Sequence, residues 1–202
     1  MSDYSFQLWS GVFLLVLVIL AFLVGIAVKR NPLWILVDSR GRYSLTHFQI
    51  VLWTVVILSS ILGVLISRGF AKDFQIPPQL LGLMGISAGS AVLATAVKGS
   101  KDAPGSQARI ARAATGLKLA GGGTKTVEAH FSQIWLEEEG DQADQVISIT
   151  KYQNFIFTLV ILGIYVSMAW KSGGLPVLPD NVVWLVAISH GGYVGGKVPG
   201  KQ

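Results

Sequence analysis

Apolar residues in this chain are gathered into five long runs separated by polar segments. The first run, at about residues 7–28, has no charge before residue 29 and is long enough to cross roughly 30 Å of hydrocarbon. The other four occupy about residues 48–67, 77–97, 155–170 and 181–196, the last of which is diluted by glycine. The pattern predicts an all-α membrane protein with five transmembrane helices, the first of them retained rather than cleaved as a signal peptide.

Composition narrows the class of protein further. Hydrophobic residues make up 51% of the chain and charged residues only 13%, whereas soluble domains carry about 25% charged residues. We therefore expect a multi-pass protein whose first partner is the lipid bilayer of the cell (inner) membrane. The absence of cysteine excludes disulfides, zinc–thiolate sites and thiol nucleophiles.

The basic residues predict an orientation. They are concentrated after the first, third and fifth apolar runs, and few lie on the opposite side. By the positive-inside rule this predicts an N-out, C-in topology. Because the basic residues flank membrane helices, the net charge of +5 does not indicate a nucleic-acid partner.

A hexamer of the form S-x-T-x-[FY]-Q occurs twice, each time just before an apolar run. SLTHFQ begins at Ser44 and SITKYQ at Ser148, and the likeness continues into the following runs, where ISAG corresponds to ISHG. This predicts two parallel copies of one helical hairpin. The chain then divides into a leading transmembrane helix with its juxtamembrane segment (1–43), a first hairpin (44–97), a cytoplasmic linker with a short amphipathic helix (98–147), and a second hairpin with a basic tail (148–202).

The hexamers have two interpretations. T-x-x-Q is the spacing of a capping box, which would satisfy free N–H groups where a helix enters the membrane. Alternatively, the glutamines line an aqueous vestibule. The residues of this helix-cap or vestibule set are Ser44, Thr46, Gln49, Ser148, Thr150 and Gln153.

The second shared element lies in the middle of the third and fifth apolar runs. Small residues there allow close packing of helices, between the two hairpins or between subunits, and the alternative is a pore wall. His190 is the one ionisable side chain predicted deep in the membrane, which makes it a functional candidate, and the favoured interpretation is a neutral imidazole hydrogen-bonded to a neighbouring helix. The helix-packing or pore-lining set is Ser87, Gly89, Ser189, His190, Gly191 and Gly195.

The linker contains one amphipathic pattern, at residues 126–136. Val127, Phe131, Ile134 and Trp135 would share one face of a helix, which predicts a surface for the membrane or for a partner. The acidic run that follows, at residues 137–144, is interpreted as a solvated charged turn.

No pattern of catalytic residues is recognisable, so we expect a protein that is not an enzyme and that has no catalytic, cofactor-binding or metal site. The first hypothesis is a homo-oligomeric integral membrane protein that forms a channel or pore-like assembly. The alternative is a membrane anchor or scaffold subunit that holds a soluble cytoplasmic partner through residues 98–147.

Overall fold

The computed structural model describes residues 5–68, 74–102, 117–118, 124–125, 129–139 and 143–196. Its main elements are five helices: α1 (Ser5–Lys29), α2 (Leu45–Arg68), α3 (Pro78–Asp102), α4 (Ile149–Ser172) and α5 (Asp180–Gly195). Two 3-10 turns (Trp34–Leu36 and Phe131–Ile134) and one two-residue antiparallel pair, β1 (Leu117–Lys118) with β2 (Thr124–Lys125), complete the described part. The predicted all-helical fold is confirmed, with helix bounds close to those of the apolar runs.

Four of the five helices, α1 to α4, are long and apolar enough to cross a membrane. The 16-residue α5 is about 24 Å long, whereas a crossing needs roughly 20 residues, or about 30 Å. The chain therefore has the helices of an integral membrane protein, while its fifth crossing and its orientation stay predictions.

The two hairpins, α2–α3 and α4–α5, lie side by side. Helix α2 contacts α4, and α3 contacts α5. Trp53 of α2 and Tyr165 of α4 meet edge to face, with ring centroids 6.4 Å apart, in an apolar core that also includes Ile57, Leu83 and Ile161.

Helix α1 packs on α2, and most of its apolar surface is left exposed. The two helices approach closely at Gly63 of α2, where a Cβ atom would lie 2.0 Å from the Ser10 side-chain oxygen. At its other end, a Cβ atom on Gly25 would lie 2.5 Å from the Pro32 carbonyl oxygen, because the chain folds back against α1 there. These two glycines set how closely α1 approaches its neighbours.

The starts of α2 and α4 differ from the capping-box prediction. The carbonyl of Ser44 accepts from the Phe48 N–H at 3.0 Å, and that of Ser148 accepts from the Tyr152 N–H at 2.9 Å. The serines therefore stand at the helix boundary, and Thr46 and Thr150 are already inside the helices. Neither threonine is the N-cap that T-x-x-Q requires, and Ser148 makes no side-chain cap hydrogen bond.

Candidate functional site

The loops that precede α2 and α4 fold against each other at one end of the bundle. Each loop is closed by a backbone hydrogen bond: the Ser44 N–H donates to the Leu36 carbonyl (2.9 Å), and the Ser148 N–H donates to the Trp135 carbonyl (2.8 Å). Phe131 packs edge to face on Tyr43, with ring centroids 5.9 Å apart, and so joins the two loops. The repeated serines thus connect each loop to its helix.

These loops bring charged side chains together at the end of α3. Glu138 lies at the centre and accepts from Lys98 of α3 (3.1 Å), Lys151 of α4 (2.7 Å) and Arg40 (3.4 Å). Lys98 also donates to Asp38 at 2.5 Å. All three cationic side chains are at least nine-tenths buried.

Further pairs complete this group. Arg42 forms an ion pair with Asp144 and donates to the Glu137 carbonyl at 3.3 Å, while Arg40 also contacts Glu139 at 3.4 Å. We call the whole group the end cluster: Asp38, Arg40, Arg42, Lys98, Glu138, Glu139, Asp144 and Lys151.

The end cluster corrects the interpretation of the acidic run as solvated for Glu138 and Asp144, whereas Asp141 lies outside the described residues. Glu138 is 7% exposed, because cations from three other elements surround it. Four cations face four carboxylates, so the burial of each charge is compensated by a partner. Among the residues that the structure describes, no group of three or more histidine, aspartate or glutamate side chains is placed to hold a metal ion. The geometry indicates that the end cluster connects the two hairpins, because Lys98 of the first and Lys151 of the second share Glu138.

A second polar group lies deeper, among α2, α4 and α5. Gln49 donates to Asn154 (3.1 Å) and to Thr158 (2.6 Å), and the Ser189 hydroxyl donates to the same Asn154 oxygen at 2.9 Å. We call these four residues the mid-bundle seam. Where no water competes, hydrogen bonds of this kind hold helices together and fix their rotation.

Two further pairs link the hairpins near these groups. The hydroxyls of Thr46 (α2) and Tyr193 (α5) are 3.2 Å apart, and the Ser90 hydroxyl (α3) lies 2.8 Å from a ring nitrogen of His190 (α5). His190 is thus buried and hydrogen-bonded to a neighbouring helix.

The structure does not bring the helix-cap or vestibule set together. Ser44, Thr46 and Gln49 are buried, and so is Ser148. Thr150 and Gln153 are exposed on the outer side of α4. Gln49 and Gln153 therefore do not share one vestibule within a chain, although they occupy the same place in the two hexamers.

The helix-packing or pore-lining set is also divided. Ser87 and His190 are buried and Ser189 is half-buried, but Gly89, Gly191 and Gly195 are exposed. A Cβ atom at any of these three glycines would have no atom within 4 Å. They do not mediate packing between the hairpins of one chain.

The amphipathic helix predicted at residues 126–136 is wrong for the described residues, and Val127 lies outside them. Only a 3-10 turn forms, at Phe131–Ile134, and Leu136 then bridges to Ile147 as an extended strand would. Ile134 is fully buried, and Trp135 packs on Phe155 with centroids 5.5 Å apart. The apolar side chains cover the end of the chain's own bundle.

Sequence reasoning missed several residues of these groups. Asn154 was detectable, because it is a polar side chain at the edge of an apolar run that cannot be left unpaired in the membrane. Asp38 and Glu138 carried no local signal, because their partners are distant in sequence and only the fold brings them together.

No protein-family model matches this chain, and no curated protein or solved structure matches it.

Proposed function

We propose that this chain is a homo-oligomeric integral membrane protein of the cell membrane, assembled through α3 and α5, with a channel or pore-like passage between subunits. The observation that carries the proposal is the pair of open glycine faces on these two helices. In this proposal α5 is the fifth crossing, and the topology is N-out, C-in.

The glycines are suited to close contact with a second copy. Gly85 and Gly89 of α3, and Gly191 and Gly195 of α5, lie four residues apart on their helices and are exposed. No heavy atom lies within 4 Å of where their Cβ atoms would be. Small-x-x-x-small faces are a recurring means of helix association in membranes. Helix α1 exposes large apolar side chains suited to lipid along most of its length.

A passage within one chain is not favoured by the geometry. The mid-bundle seam is closed on itself, since Gln49 donates to Asn154 and Thr158. Beside it, Trp53, Ile57 and Ile161 fill the core and are at most 2% exposed. A conducting path would therefore run between subunits, along the axis that the glycine-mediated contacts enclose.

The alternative, an anchor or scaffold subunit, rests on a different surface. Val146, Ile147, Ile149 and Tyr152 are 42–72% exposed next to the end cluster. A cytoplasmic protein partner that recognises residues 98–147 would cover this apolar patch.

The decisive experiment compares two exposed glycines. We expect Gly191→Leu to dissociate the oligomer and abolish liposome conductance, because leucine separates the α5 backbones. Gly163→Leu on α4, also exposed with no atom within 4 Å, should change neither. Native mass spectrometry in nanodiscs and conductance recordings measure the two properties.

The outcomes separate the parts of the proposal. A parent protein that stays monomeric at every concentration contradicts assembly, and an intact oligomer that conducts no more than empty liposomes contradicts the passage.

Because the chain has no cysteine, single cysteines can be introduced near the termini and in the 74–77 loop. Labelling them with a membrane-impermeant reagent tests the topology. A photo-crosslinker at residue 149 that captures a soluble protein in native membranes would favour the alternative.

A further inference from the structure

An apolar groove runs between α1 and α2, close to the end cluster. Its volume is about 480 Å³, within the range of ligand-binding pockets, and no polar surface lines it. Its lining comes from the second half of α1, the first 3-10 turn with the residue before it, the first half of α2 and the loop before α4, and includes Phe22, Leu33, Ile35, Val51, Val55 and Phe131.

Local structure explains why the groove exists. The chain turns sharply after α1, with Arg30 at φ 55°, and packs its carbonyls at Asn31 and Pro32 against Gly25. This places the first 3-10 turn over the end of the space between α1 and α2. Phe131 closes the same end from the other loop. The groove is therefore formed by ordered elements of the fold and is not a gap left by poor packing.

We propose that this groove binds one acyl chain of an anionic phospholipid. Both flanking helices are candidate membrane spans, so hydrocarbon is the surrounding medium at this depth. The wholly apolar lining offers no partner for a peptide backbone or a polar ligand, whose groups would lose hydrogen bonds there.

The basic residues at the end of α1 argue for an anionic headgroup. Lys29 and Arg30 are exposed, and the Lys29 ammonium lies 5.8 Å from the centre of the Trp34 ring. Trp34 stands between the groove residues Leu33 and Ile35. Cations therefore stand beside the groove at its closed end, where a phosphate would lie with its acyl chain inside.

This site is separate from the proposed subunit contact. The groove uses α1 and α2, and the glycine faces belong to α3 and α5. Loss of oligomerisation and loss of lipid binding can therefore be observed independently.

The test is native mass spectrometry of the full chain from nanodiscs that contain equal amounts of phosphatidylglycerol and phosphatidylcholine with identical acyl chains. We expect one phosphatidylglycerol retained per chain. Val51→Trp should remove it by filling the groove, whereas Val160→Trp, on an exposed position of α4, should not. The double variant K29Q/R30Q should lower the preference for phosphatidylglycerol by roughly 5-fold for each charge removed.

Three results would overturn the site. The first is equal lipid retention by Val51→Trp and Val160→Trp, which indicates annular lipid only. The second is retention without preference for either headgroup in the parent protein. The third is disulfide formation between two chains carrying Val51→Cys in native membranes, which indicates that a second copy occupies the groove. Circular dichroism and melting of each variant establish that it is folded.

Discussion

The two hairpins share a sequence pattern but bury different residues of it. In the first hairpin Thr46 and Gln49 are at most 6% exposed, whereas the corresponding Thr150 and Gln153 of the second are exposed. The sequences align at an offset of 104 residues in these helices. The buried residues of α2 and α4, however, correspond at an offset of 105, so that Gln49 corresponds to Asn154 and Trp53 to Thr158.

The later helices show the same displacement. The sequences of α3 and α5 align at an offset of 102, but Leu83, Ser87 and Ser90 of α3 correspond in burial to Val186, His190 and Tyr193 of α5, an offset of 103. One residue is a rotation of about 100° about a helix axis. Each helix of the second hairpin is therefore rotated about its own axis by about 100° relative to its counterpart in the first.

Polar contacts, rather than sequence likeness, decide which helix face is inside. Lys151 and Asn154 stand where the first hairpin has His47 and Ile50, and both are directed into the end cluster or the mid-bundle seam. Leaving these groups in hydrocarbon would cost several kcal/mol each. Helix α1, in addition, packs mainly on α2 of the first hairpin and meets the second through a hydrogen bond from Gln7 to the Trp170 carbonyl (3.1 Å).

The first prediction concerns the end cluster, which contacts both hairpins, and should give the strongest destabilisation. Glu138→Gln should lower the free energy of unfolding by about 3–5 kcal/mol, because it removes the carboxylate that Lys98, Lys151 and Arg40 share and leaves the buried cluster with more cations than carboxylates. Glu139→Gln, whose side chain is 30% exposed, should cost about 0–1 kcal/mol. Denaturant unfolding in detergent measures both, and equal effects would show that the end cluster does not hold the bundle.

The sequence predicted the helices well, because long apolar runs report helix length directly. It could not predict how each helix is rotated, since α2 and α4 are apolar on most of their surface and have no strong amphipathic face. It also missed the end cluster, because Asp38, Lys98 and Glu138 meet only after three separate segments fold together. In the amphipathic pattern at residues 126–136, the described residues Ile134 and Trp135 pack on the chain's own bundle instead of forming the face of a helix.

A second prediction tests the covering of the first hairpin by α1. Gly63→Ala should destabilise the protein by about 1–3 kcal/mol, since the new methyl group would lie 2.0 Å from the side-chain oxygen of Ser10 and 3.0 Å from its Cα atom. Gly163→Ala in α4, where no atom lies within 4 Å, should be neutral or slightly stabilising. Thermal melting of both variants is the measurement. A Gly63→Ala protein as stable as the parent would mean that α1 does not pack on α2 here.

A third prediction compares the two glutamines of the hexamers. Gln49→Ala should cost about 1–2 kcal/mol, because it removes the donor to Asn154 and Thr158 and leaves a small void. Gln153→Ala removes an exposed side chain and should change stability by less than about 0.5 kcal/mol. Equal losses from both, in the same unfolding assay, would contradict the one-residue rotation of α4.

The smallest effect concerns the two threonines, and it separates a cap from a contact between hairpins. If T-x-x-Q were a capping box in both places, Thr46→Ala and Thr150→Ala would cost similar amounts. Instead Thr46 lies inside α2 with its hydroxyl 3.2 Å from that of Tyr193, while Thr150 is exposed. We expect Thr46→Ala to cost about 0.5–1 kcal/mol and Thr150→Ala almost nothing.

A second substitution at the partner residue completes this test. Tyr193→Phe removes the other hydroxyl of the pair, so its effect and that of Thr46→Ala should be less than additive in the double variant. A cap would give additive losses, because Tyr193 takes no part in starting α2. Melting temperatures of the two single variants and the double variant, measured in one detergent, decide whether the threonine of the first hexamer serves its own helix or the helix beside it.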